Sequence, residues 1–159
     1  MDVVHVAGLT QRFGSVTALD DLTVSFAENQ VTGLLGRNGA GKSTLIDILT
    51  GRRPAASGSV RVGDANPYEN RHTLRDICGV GEAQRYPQQF SVAAVLDSAA
   101  LLHPRWDAEV AVDLVDTFAL RRRQKVAKLS RGQRRALGVT VGLAARAPLT
   151  IFDEPYVGL

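Results

Sequence analysis

Gly36-Arg37-Asn38-Gly39-Ala40-Gly41-Lys42-Ser43 decides how this chain reads. The spacing Gly-x4-Gly-Lys-Ser is that of a phosphate-binding loop set between a strand and a helix. Its glycines permit positive φ and let backbone N–H groups turn toward anionic oxygens. The helix that follows adds the positive end of its dipole. Lys42 is placed to reach the β- and γ-phosphates of a nucleotide, and Ser43 to ligate Mg²⁺. Lys42, Ser43 and Thr44, the first helical turn, are counted with the site. The flanks agree with this reading. The apolar run Val31-Thr32-Gly33-Leu34-Leu35 predicts a strand, and residues 43–50 predict a helix with Gly51 as its cap. The chain is expected to bind ATP with Mg²⁺.

A second element of the same chemistry ends in Asp153, 110 residues after Ser43. Leu149-Thr150-Ile151-Phe152-Asp153-Glu154 is an apolar run ending in two acids. By itself it reads equally as a strand end in solvent. Paired with a phosphate loop, it reads as the Walker B strand, with Asp153 holding Mg²⁺ directly or through water. Neighbouring side chains on a strand point to opposite faces, so the two acids take different roles. Glu154 is the candidate general base that orients or deprotonates the attacking water.

Between these elements the pattern changes character. Short strands are expected at Val3-Val4-His5-Val6-Ala7, Leu22-Thr23-Val24-Ser25-Phe26, Val60-Arg61-Val62 and residues 77–80. From Ser91 onward, apolar residues recur at helical spacing: Val92, Val95, Leu96 and Ala99, then Val110, Leu114 and Phe118, with Pro104 between the two sets. A third helical stretch covers residues 129–147, opened by Ser130 as N-cap and ended by Pro148. The expected organisation is one α/β domain. Residues 1–82 plus 148–159 form a nucleotide-binding core, and residues 83–147 form an inserted helical subdomain.

Composition sets the outer bounds. The chain has 159 residues, 45% hydrophobic and 22% charged, which suits one globular domain. Its single cysteine, Cys78, has no internal partner for a disulfide. There is no signal-peptide pattern at the start and no apolar run of the length that spans a membrane. The net charge is only +3, yet nine of the nineteen basic residues lie between Arg121 and Arg146, and no acid occurs between Thr117 and Phe152. Such a run reads as a nucleic-acid or anionic-membrane surface, or as a solvated helix face.

Lys128-Leu129-Ser130-Arg131-Gly132-Gln133 brings these parts together. Leu-Ser-Arg-Gly-Gln resembles the Leu-Ser-Gly-Gly-Gln signature of ATP-binding cassette (ABC) transporter nucleotide-binding domains, with Arg131 at its third position. Phe13-Gly14 followed by Ala18-Leu19 resembles the family's aromatic adenine-stacking loop. Asp153-Glu154-Pro155-x-x-Gly158-Leu159 resembles the passage from Walker B into the D-loop. The resemblance covers essentially the whole chain. It implies a P-loop NTPase core, a mostly parallel sheet with an antiparallel N-terminal β subdomain, and a helical signature subdomain. It implies that Ser130, Gly132 and Gln133 contact the γ-phosphate held by a second cassette, so that hydrolysis needs a dimer. Glu82 falls at the position of the family's Q-loop glutamine, on the metal side, with Gln84 two residues on. Leu102-His103-Pro104-Arg105-Trp106-Asp107 resembles a segment of bacterial ABC-2 exporters. The implied role is that of an ATPase subunit on the cytoplasmic face of a plasma membrane, working with a separate transmembrane permease. The rival is a soluble ABC ATPase on ribosomes or DNA, supported only by the basic run. Nucleic acid is the less favoured partner, and a non-catalytic nucleotide-binding fragment is a third reading.

The sequence ends at Leu159, before the D-loop aspartate, the further strands and the switch histidine of the family pattern. His5, His72 and His103 all precede Asp153, so none takes that last role. The expectation is an incomplete cassette that binds ATP and hydrolyses it poorly alone.

Overall fold

Two twelve-residue strands, β1 (Asp2–Phe13) and β2 (Val16–Ala27), form an antiparallel hairpin closed at Gly14. The computed structural model describes residues 2–81 and 85–153, as two units, Met1–Ile77 and Cys78–Leu159. In the first unit β1 is the middle strand, between β2 and the antiparallel β3 (Ser57–Val62). Val4 pairs with Val62 and Val6 with Val60, and all four are buried while His5 and Arg61 face out. That alternation would turn Leu9 and Gln11 outward. Gly8, at φ +59, lies where both ladders of β1 shift register. The bulge moves the parity by one residue, so Leu9 and Gln11 return to the core face. Helix α1 (Lys42–Leu49) packs on this face through Leu45, Ile48 and Leu49. Beyond it, Asn70 caps a four-residue helix, α2 (Arg71–Leu74).

The strand expected at residues 31–35 does not form. This stretch is irregular and exposed, with Val31 at 105% and Leu35 at 92%. A strand needs partners for its N–H and C=O groups, and none pairs with this segment among the described residues. Parallel pairing is seen instead in β4 (Ile77–Val80) and β5 (Leu149–Phe152). The Asp153 N–H donates to the Val80 carbonyl at 2.9 Å, which aligns the C-terminal ends of the two strands.

The second unit is otherwise helical: α3 (Val92–Leu102), α4 (Ala108–Thr117) and α5 (Arg131–Ala144). Ser91, Asp107 and Ser130 cap them, each accepting from a backbone N–H three residues on. The core is aliphatic, centred on Val92, Val126 and Leu137, with Trp106 and Phe118 packed at its margin. The third helix is shorter than the 129–147 expected. A 3-10 turn (Val126–Lys128) and Leu129 in extended conformation precede Ser130. At the other end Arg146 adopts φ +47 and the Ala144 carbonyl accepts from the Asp107 N–H at 2.8 Å. Among the described residues, no helix is long and apolar enough to cross a membrane.

Gly138 and Gly142 let α5 lie close to the strands. A Cβ at Gly138 would stand 3.0 Å from Val80 Cγ1, and one at Gly142 2.5 Å from the Phe152 ring. Cys78, beside Val80 and Phe152 in the same packing, is buried, and burial pushes its thiol up to about 11. Gly142→Ala would gain about 1 kcal/mol of helix propensity. The forced overlap with Phe152 outweighs this, so a net loss of about 1–2 kcal/mol is expected in denaturant unfolding.

Asp107 joins α4 to the end of α5. The Val110 N–H and the Arg146 guanidinium, which donates to Oδ2 at 3.0 and 3.1 Å, hold its carboxyl below the ordinary carboxylate value. A depressed folded-state value stabilises above the unfolded value and ceases to do so as pH falls through the folded one. Asp107→Asn is therefore expected to melt below the parent protein at pH 7, and the gap should narrow below about pH 4. Thermal melts across that range check this.

Candidate functional site

The phosphate loop opens α1. Residues 36–40 are exposed, and the Ala40 N–H donates to the Arg37 carbonyl at 3.1 Å, closing a turn. Gly39 and Gly41 both lie at φ +83, the left-handed region where a side chain is strained. Gly41 is the N-cap of α1 and offers no side-chain acceptor, and the first turn carries no acid. The opening N–H groups of Lys42, Ser43 and Thr44 thus have no intrahelical acceptor, and the end of the helix is electropositive. The Lys42 ammonium folds over the loop and donates to the carbonyls of Gly36, at 2.7 Å, and Arg37, at 3.1 Å. This places a point charge and a set of free N–H groups on one short loop, the donor set that a polyphosphate requires. Ser43 is exposed and Thr44 half-buried.

Gly41 is buried against β2. A Cβ there would collide with the Ala18 carbonyl and stand 2.8 Å from Leu19 Cδ2. The loop therefore rests on the strand that leaves the Phe13-Gly14 turn, and Phe13 pairs with Val16 at the start of that strand. Phe13, the expected base-stacking residue, is 40% exposed. Arg53, which the motif reading left aside, sits over the Phe13 ring, its guanidinium carbon 4.8 Å from the centroid.

The other candidate residues belong to the second unit. Ser130 and Gln133 form a complete capping box: the Gln133 N–H donates to Ser130 Oγ at 3.1 Å, and the Ser130 N–H donates to Gln133 Oε1 at 3.0 Å. Gln133 Nε2 remains as a donor, beside the half-buried Gly132. Seven cations from Arg121 to Arg134 are exposed, in the stretch that runs into this helix. Asp153 follows β5 directly, half-buried, anchored by its N–H on Val80. Glu154 and Glu82, with Gln84, lie outside the described residues.

Comparison with known proteins bears on this geometry. The family model described as "ABC transporter" matches residues 19–157. A putative ABC transporter ATP-binding protein of Streptomyces avermitilis is 38% identical over 100% of this chain, which covers 29% of that protein. The glucosylceramide transporter ABCA12 of Homo sapiens is 34% identical over 98% of this chain, which covers 6% of it. The methionine import ATP-binding protein MetN of Mesorhizobium japonicum is 33% identical over 96% of this chain, which covers 45% of it. The chain thus spans less than half the length of each of these relatives. Among solved structures, an ATP-binding subunit of an ABC transporter superposes with a TM-score of 0.89 at 24% identity, covering 99% of this chain and 68% of that one. That likeness shows the P-loop NTPase fold of the cassettes. With the family pattern running from Leu19 past the phosphate loop and the capped Ser130 helix to Asp153, the chain belongs to the ABC transporter family.

Proposed function

We propose that this chain is the ATP-binding part of an ABC transporter. It binds Mg-ATP and, paired with a second cassette, couples ATP binding and hydrolysis to transport by a separate transmembrane permease. The observation that carries the reading is the phosphate loop. Two left-handed glycines, an uncapped helix start and the Lys42 ammonium converge there, and Gly41 is seated on the strand that follows Phe13. The family of named relatives supports the transport role.

Each residue then has a distinct task. The unengaged N–H groups between Gly36 and Thr44, with Arg37, Asn38 and Ala40 shaping the turn, cradle the phosphates, and Lys42 neutralises charge at the β- and γ-positions. Phe13 stacks on the adenine. No group of three or more His, Cys, Asp or Glu is gathered for a metal among the described residues. The proposed Mg²⁺ would enter on phosphate oxygens and take few protein ligands. Ser43, Asp153 and Glu82 are the proposed ligands, each carried over from the family's motifs. When bound, the ion would supply charge neutralisation at the transferred phosphoryl group. Glu154 is proposed as the base for water. Ser130, Gly132 and the free Nε2 of Gln133 are offered to the γ-phosphate of the nucleotide on the second cassette. In this scheme residues 1–82 with 148–159 are the nucleotide core and 83–147 the signature subdomain. The working place is the cytoplasmic face of the plasma membrane, of bacterial type, as a peripheral subunit.

Lys42→Ala tests the binding claim. It removes the point charge at the loop mouth while leaving the glycines in place. Calorimetric titration of Mg-ATP should show affinity reduced by at least about a hundredfold, the scale of a lost charge-assisted contact of about 3 kcal/mol. Unchanged affinity would contradict the assignment of the loop.

A further inference from the structure

Arg53 occupies a position that the nucleotide reading does not use. It follows α1 and the Thr50-Gly51 cap, and its own N–H donates to the Asp47 carbonyl at 3.2 Å. The segment is tied to β1 a second time: the Ala56 N–H donates to the buried Gln11 Oε1 at 3.0 Å. These two bonds hold the backbone on either side of Arg53 beside the end of β1. Its guanidinium lies 4.8 Å from the centroid of the Phe13 ring. Its Nε is buried with no hydrogen-bond partner among the described residues. By contrast, the adjacent Arg52 extends to the Asp47 carboxylate at 3.6 Å. Among the described residues, Arg53 is thus held by the aromatic face, with no ion pair to a carboxylate.

This matters because Phe13 is at the end of a strand and 40% exposed. A side chain so placed has free rotamers to choose from, and a base stacking on it must first order it. A cation fixed over one face removes that freedom and leaves the other face open. It also draws on the ring quadrupole, an attraction of the cation–π kind. We propose that Arg53 is a positioning residue for base recognition: it clamps one face of Phe13 so that the opposite face is presented to the adenine. The inference rests on the proposed role of Phe13 in the nucleotide site. Arg53 acts through Phe13 and contributes nothing to the phosphates.

The test compares Mg-ATP with inorganic tripolyphosphate plus Mg²⁺, which has the charge but no base, on the 159-residue chain. Dissociation constants are measured for the parent protein, Arg53→Ala, Arg53→Met, Arg53→Lys and Phe13→Ala, with melting temperatures recorded for each. Arg53→Met keeps an unbranched stem against the ring and loses only the cation. Both neutral variants should weaken ATP roughly two- to fivefold, the yield of an exposed cation–π contact. Tripolyphosphate affinity should stay unchanged, and Arg53→Lys should restore most of the ATP affinity. Equal weakening of ATP and tripolyphosphate would overturn the proposal, because Arg53 would then act as a phosphate charge. So would full ATP affinity in both neutral variants while Phe13→Ala binds ATP poorly. If Phe13→Ala binds ATP as the parent does, the base-site reading itself falls and the proposal with it.

Discussion

The contact between Gly41 and the Ala18 carbonyl is the constraint on which the nucleotide site depends. A phosphate cradle needs N–H groups that secondary structure has not consumed, and these are found where a helix begins. Such an end is useful only if something fixes its position. Gly41 does this by having no Cβ: its Cα is pressed on the backbone of β2, and its φ of +83 turns the chain into α1. The apolar face of α1 then buries Leu45, Ile48 and Leu49, which anchors the helix from the other side. One close approach thus sets the loop, the helix start and the neighbourhood of Phe13 within the first unit.

The second unit solves a similar problem differently. At the start of α5 the side chains of Ser130 and Gln133 satisfy two backbone donors, so this end is rigid and still carries the helix dipole. Further along, the missing side chains of Gly138 and Gly142 let the helix settle on Val80 and Phe152, the strands that lead to Asp153. The helix that displays the signature and the strand that displays the acid are therefore packed into one body. Asp107 completes it, as cap of α4 and partner of Arg146.

Much of this was legible from residue patterns. The Gly-x4-Gly-Lys-Ser spacing located α1 to within a residue, and Ser130 marked the helix that it caps. The extent of β1 was not legible, because alternation breaks at Gly8 and a bulge leaves no period to follow. The apolar run at residues 31–35 has the composition of a buried strand, but pairing depends on neighbours far away in sequence, and none among the described residues engages it. Four residues are too few for a helical period, so α2 gave no signal. Arg53 was invisible for another reason: its relation to Phe13 spans forty positions and exists only in three dimensions.

Hydrogen exchange of the backbone amides, with and without saturating Mg-ATP, addresses the central claim most directly. Protection on binding should concentrate in residues 36–44 and in the turn around residues 13–18. Protection confined to other segments, or none at all in residues 36–44, would contradict it.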